Sequence, residues 1–149
     1  MPIEANGWTL NEAMGELPAP SSGAISDELD AALRAGLEER DGCLVLVAAS
    51  TPSTPRQIGD QTGYEALVNH LHVDTDDRPA LPIAIQVAQR VRAMVESRAE
   101  FQPVRVIVAA ENAASATVRF HRVRDGEQWL ADDIDGYNEP VAFCDISVA

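Results

Sequence analysis

The chain has 149 residues, of which 24 are Asp or Glu; its positive charge is eleven arginines with no lysine, and the formal net charge is −13. A lysine-free chain excludes Schiff-base lysine chemistry, a lysine general base and a phosphate-loop lysine. So negative a chain is also a poor ligand for nucleic acid or an anionic membrane, and its length suits one domain with its own core.

Residues 1–25 read as an N-terminal arm and linker, with a capping box at Thr9-Leu-Asn-Glu12 and a breaker run at Leu17-Pro-Ala-Pro-Ser-Ser-Gly23. The start lacks a basic region followed by an apolar stretch, so the expected location is the cytoplasm. Residues 26–149 read as a single α+β domain. Ser26 is a good N-cap, and Leu29, Ala32, Leu33, Gly36 and Leu37 make an apolar stripe, which predicts a helix over 26–40 stopped by Asp41-Gly42. Cys43 to Ala49 is continuously apolar and predicts a strand buried on both faces, central in its sheet. Residues 50–63 form a long polar loop. A second capping box, Thr62-Gly-Tyr-Glu65, with Tyr64, Leu67, Val68 and Leu71 at helical spacing, predicts a short helix ending near His72. Val73 to Asp77 reads as an acidic loop. Leu81, Ala84, Ile85, Ala88, Val91, Met94 and Val95 predict a long helix from Pro79 or Ala80 to Arg98, packed on the sheet.

Strands are expected over 103–110 and 116–124. Asp125-Gly126 is a type I′ hairpin signal, which makes residues 127–131 a return strand, and a last strand is expected over 141–147. A two-residue loop there pairs Arg124 with Glu127, Arg122 with Trp129, Phe120 with Ala131 and Arg119 with Asp132. The expected architecture is α+β: one domain, a central, mostly antiparallel sheet, and a C-terminal β-hairpin, packed against two main helices. Cys43 and Cys144 both sit in strand-like apolar runs and read as buried thiols.

No run carries a full catalytic or metal motif. His70-Leu-His72-Val-Asp74 resembles the HxHxDH motif of metallo-β-lactamase-fold hydrolases, but Thr75 stands in place of the last histidine. It also resembles the histidine-triad motif of nucleotide hydrolases, with Asp74 in place of the third histidine. On the predicted helix His70 and His72 would point about 200° apart and could not share a metal. The run from Asp132 to Glu139 is similar to a calcium loop but lacks its alternating ligands. The expectation is therefore no catalytic residue, no metal and no cofactor.

Charge is segregated. Residues 1–89 carry 4 Arg and 14 acids; residues 90–124 carry 7 Arg and 3 acids; residues 125–149 carry no Arg and 7 acids. The acidic ends suit a basic protein partner. Trp129 and Tyr137, bounded by Asp132, Asp133, Asp135 and Glu139, are the candidate partner-binding residues, since aromatics among carboxylates make good anchors.

The size, the acidity and the run from Val118 through Asp125-Gly-Glu-Gln-Trp-Leu-Ala-Asp-Asp-Ile134 after a long helix resemble small acidic bacterial immunity proteins of polymorphic toxin systems, the YezG-like group. That resemblance covers about the last seventy residues. It implies a non-enzymatic antitoxin, monomeric or homodimeric, that binds and neutralises a toxin domain, often basic, without nucleic acid or membrane. The same closing hairpin is similar to nuclear transport factor 2-like domains, which would imply a small-ligand or enzymatic pocket with His121 inside it. A dimeric, acidic secretion chaperone is a third reading.

Overall fold

The structure is a computed structural model that describes residues 3–5, 25–49, 59–76, 79–131 and 141–147. Its elements in chain order are β1 Ile3–Ala5, α1 Asp27–Ala35, β2 Leu37–Arg40, β3 Cys43–Leu46, α2 Gln61–Val68, β4 His70–Asp74, α3 Ala80–Glu96, a 3-10 turn Ala99–Phe101, β5 Val104–Asn112, β6 Ser115–Arg122 and β7 Val141–Ile146. Five strands form one sheet in the order β1-β7-β5-β6-β4, and β2-β3 form a second, smaller sheet. Every pairing is antiparallel. The chain is an α+β domain, as its alternating and helical apolar patterns require.

The core lies between the sheet and α3. Ala80, Ile83, Ala84, Val87, Val91 and Val95 from α3 meet Val104, Val106, Val108, Val118, Phe120 and Ile146 from the strands. Each large apolar side chain buried there contributes roughly 1.5–3 kcal/mol. The predicted helix over 79–98 is α3, two residues shorter at its C-terminus.

Other elements differ from expectation. The first helix stops at Ala35, because Gly36 takes φ +85° and ψ −163°, a region essentially reserved for glycine. Leu37–Arg40 then forms a strand. Asp41 and Gly42, at φ +53° and +79°, turn it into β3 instead of merely ending a helix. A Cβ at Gly36 would meet nothing within 4 Å, so Gly36→Ala tests backbone strain alone. Its expected cost is about 1–3 kcal/mol, read as a lower urea midpoint with an unchanged slope.

β3 is buried along its whole length but is not central in the main sheet. Leu44 and Leu46 face the main core, while Cys43 and Val45 pack with Tyr64. Helix α2 ends at Val68, and β4 follows immediately. The helix predicted through His72 and the loop predicted from Val73 are thus replaced in part by a strand. Its cap is Asp60, whose carboxylate accepts the Gly63 N–H at 2.6 Å, not Thr62.

The Asp125-Gly126 turn forms, and Arg124 pairs with Glu127 across it as an isolated bridge. No return strand follows over Gln128–Ala131: that edge of β6 is taken by β4 along Ser115–Arg119, by the Asn69 carbonyl at Phe120 and by the Glu65 carboxylate at Arg122. Trp129 therefore does not face Arg122; Arg119 lies over its ring at 5.1 Å. Phe120 does not face Ala131, because on that edge its N–H donates to the Asn69 carbonyl at 3.3 Å. Arg124 sends its guanidinium to Glu65, and Glu127 accepts from the Thr62 N–H at 3.0 Å. The partner expected for Arg119, Asp132, lies outside the described residues.

One polar device joins the two sheets. Glu65 is fully buried; its carboxylate accepts from Leu44 N–H (2.6 Å), Arg122 N–H (2.9 Å) and both terminal nitrogens of Arg124 (2.6 and 2.8 Å). Asn69, four residues on, accepts from Leu46 N–H at 2.9 Å and donates to the Leu44 and Phe120 carbonyls at 2.8 and 3.2 Å. These two side chains supply the hydrogen bonds that a neighbouring strand would give β3.

Candidate functional site

β4 is an edge strand of the five-stranded sheet. Its side chains alternate, with Leu71 and Val73 buried in the core and His70, His72 and Asp74 outside. Its backbone alternates too. Phe120 N–H donates to Asn69 C=O at 3.3 Å and Thr75 N–H to Ala114 C=O at 2.8 Å, so the odd-numbered residues face β6. The N–H and C=O groups of His70, His72 and Asp74 consequently point away from the sheet.

A groove of about 840 Å³ runs between this edge and the start of α1. Its apolar lining includes Ile25, Leu29, Ala32, Leu71, Val73 and Ile83, and its charged lining is Asp27, Glu28, Asp74 and Asp76. Among the described residues no arginine lines it. The helix explains two of these acids: Ser26 caps α1 by accepting from Leu29 N–H at 3.2 Å, and Asp27 and Glu28 sit at the positive end of the dipole. Asp30 is drawn elsewhere, to Arg90 at 2.8 Å and Arg34 at 2.8 Å. The hydrogen bond from Arg90 holds the Asp30 carboxyl below the usual carboxylate range.

The described arginines are committed within the fold. Arg34, Arg40, Arg90, Arg92, Arg98, Arg105 and Arg124 each pair with a carboxylate. Arg105 grips Asp145 with two bonds of 2.7 and 2.9 Å while lying over Phe143. Arg119 donates to the Ala66 carbonyl at 2.8 Å, and Arg122 to that of Glu100 at 3.4 Å. Asp27, Glu28 and Asp76 have no ion-pair partner among the described residues, so the groove keeps a net negative rim.

The histidine run is arranged by the strand and not by a helix. His70 and His72 share the outer face, with ring centroids 5.8 Å apart and edge-on. They therefore do not point apart, as they would on the predicted helix. His72 Nε2 lies 2.9 Å from Asp74 Oδ1, and Ser115 Oγ donates to the same oxygen at 3.0 Å. Among the described residues no group of three or more His, Cys, Asp or Glu is placed to hold a metal ion. Cys43 and Cys144 are free thiols, and burial pushes both upward in pKa.

His121 sits on the outer sheet face, 3% exposed, beside the Arg105–Asp145 pair, and lines neither the groove nor the small apolar cavity between α3 and β7. Its Nδ1 lies 2.8 Å from the Arg122 carbonyl and so carries the proton; Nε2 is buried without a hydrogen-bond partner among the described residues. Burial lowers its pKa below 6.5. Burial, followed by the charge of Arg119, lowers that of His70 in the same way. The unfolded chain then takes up protons first as pH falls. The stability from these groups is complete above about pH 6.5 and is lost as pH drops from there toward their folded-state values. Urea unfolding at about pH 5 and pH 7 is expected to show the lower stability at the acidic pH, with a smaller difference in His121→Phe.

Of the predicted partner-binding residues, Trp129 is exposed at the surface over Arg119. Asp132, Asp133, Asp135, Tyr137 and Glu139 lie outside the described residues. The groove acids and the β4 edge were missed; the alternation His-Leu-His-Val-Asp over 70–74 was the signal that could have found the edge.

The fold and this site define an α+β domain with an acidic groove along a sheet edge. The chain belongs to the Uncharacterized protein PM0498 family, whose model matches residues 9–148. No curated protein and no solved structure matches it. No described helix is long and apolar enough to cross a membrane.

Proposed function

We propose that this chain is a cytoplasmic, non-enzymatic protein-binding domain, an immunity-type antitoxin that binds a basic toxin domain and neutralises it. The observation that carries this reading is the groove rim: Asp27, Glu28, Asp74 and Asp76 border an apolar floor, and no arginine among the described residues lines it with them. An apolar floor supplies affinity on desolvation, and a rim of one charge steers and selects an oppositely charged partner. Trp129 and the acids from Asp132 to Glu139 add a second negative segment in the sequence.

Growth rescue tests the proposal. Co-expression with the protein encoded beside it is expected to restore growth that this neighbour alone suppresses. The variant Asp27→Asn/Glu28→Gln/Asp74→Asn/Asp76→Asn should rescue poorly, and charge reversal at Asp132, Asp133 and Asp135 tests the second segment in the same assay. Full rescue by both variants would overturn the acidic surface, and a neighbour without toxicity would remove the antitoxin role.

A further inference from the structure

We infer that β4 is a docking edge, and that the partner enters as an extended basic segment paired to it as an added strand. This rests on the reading above and specifies how the groove is used. Strand addition needs unpaired backbone groups in one row, a floor for alternate side chains and room beside the edge. The outward N–H and C=O groups of His70, His72 and Asp74 supply the row; among the described residues no backbone group pairs with them. Leu71, Val73, Leu29 and Ile83 supply the floor, and the groove of about 840 Å³ supplies the room.

Charge selects the occupant. A second copy of the chain would bring the same four acids against these four, and like charges across an interface oppose association. Residues 6–24 of the chain carry Glu12 and Glu16 and no arginine, so they lack the complementary charge as well. An extended partner segment alternating apolar and basic residues meets both the floor and the rim. The other edge strand of this sheet, β1, is three residues long against five in β4, so β4 offers the longer row for an added strand.

The test uses the full chain and a capped eight-residue peptide alternating Val and Arg, beside the same peptide N-methylated at the residues that would pair. Amide exchange by NMR is the first readout. The peptide is expected to slow exchange at His70, His72 and Asp74 by about tenfold or more, leaving Leu71 and Val73, already paired to β6, little changed. The N-methylated peptide should bind about tenfold more weakly, since it keeps the charge and loses backbone donors. His72→Pro removes an outward N–H without touching the ladder to β6, so it should weaken the plain peptide similarly while circular dichroism stays unchanged. Equal binding of the two peptides without protection would overturn the docking edge while leaving an acidic binding face in place. Failure of both peptides to bind would overturn it too, and growth rescue then judges the antitoxin reading separately. Protection of His72 and Asp74 in the free chain, with or without a dimer by sedimentation, would place another occupant on the edge and equally overturn it.

Discussion

Replacing Glu65 by alanine is expected to lower the unfolding free energy by about 3–5 kcal/mol, because it leaves a partly buried arginine and two backbone donors without an acceptor. The loss is a large fraction of the roughly 5–15 kcal/mol that holds a domain of this kind together. Glu65 is fully buried and receives four hydrogen bonds, two from Arg124 and one each from Leu44 and Arg122. Removing both charges does not repair the damage. In Glu65→Met/Arg124→Met the ion pair is gone, yet the Leu44 and Arg122 N–H groups still lack a partner. The double variant should therefore recover only part of the loss, and Glu65→Gln, which keeps one acceptor oxygen, should lie between alanine and wild type. Urea unfolding of the four proteins measures this. A double variant as stable as wild type would show that the backbone bonds to β3 contribute little.

The second large effect concerns binding. Neutralising Asp27, Glu28, Asp74 and Asp76 together is expected to weaken a basic partner by about 10- to 100-fold, with most of the change in the association rate and in its salt dependence. Each acid is a rim charge, worth little alone, but all four border one groove and carry the same sign. The fold should tolerate the change. Asp27, Glu28 and Asp76 are exposed, and Asp74 contacts only His72 and Ser115 among the described residues. Stopped-flow mixing separates the rates; a fourfold variant that lost affinity only through faster dissociation would point to lost contacts instead of lost steering.

The α+β class and α3 were legible because they rest on local periodicity: Leu81, Ala84, Ile85, Ala88, Val91 and Val95 admit one face and one packing partner. β5 and β6 were legible from their alternation. What was misread depended on partners distant in the chain. Leu37 fits a helical stripe as well as it fits a strand, and only the backbone freedom of Gly36 and the turn at Asp41-Gly42 decide for the strand. His70 to Asp74 has a clear period of two, yet the capping-box pattern before it suggested a longer helix. The Asp125-Gly126 turn formed as its residues demand, but its return strand lost the edge of β6 to β4, Asn69 and Glu65, a competition that no local pattern records. The groove follows from that same competition, since it exists only because β4 lies at the sheet edge beside α1. Glu65 shows the other limit of local reading: an acid on a helix is ordinarily solvated, and its burial depends on Arg124 arriving from 59 residues away.

Under the proposed function an acidic face of this chain binds a basic protein. Titrating the protein encoded beside it by calorimetry, from about 50 to about 300 mM salt, tests it most directly. The expected result is tight binding at low salt that weakens steadily as salt rises, with a shallower dependence in the fourfold groove variant. Affinity that is the same across the salt range, or identical slopes for the variant and wild type, would contradict it.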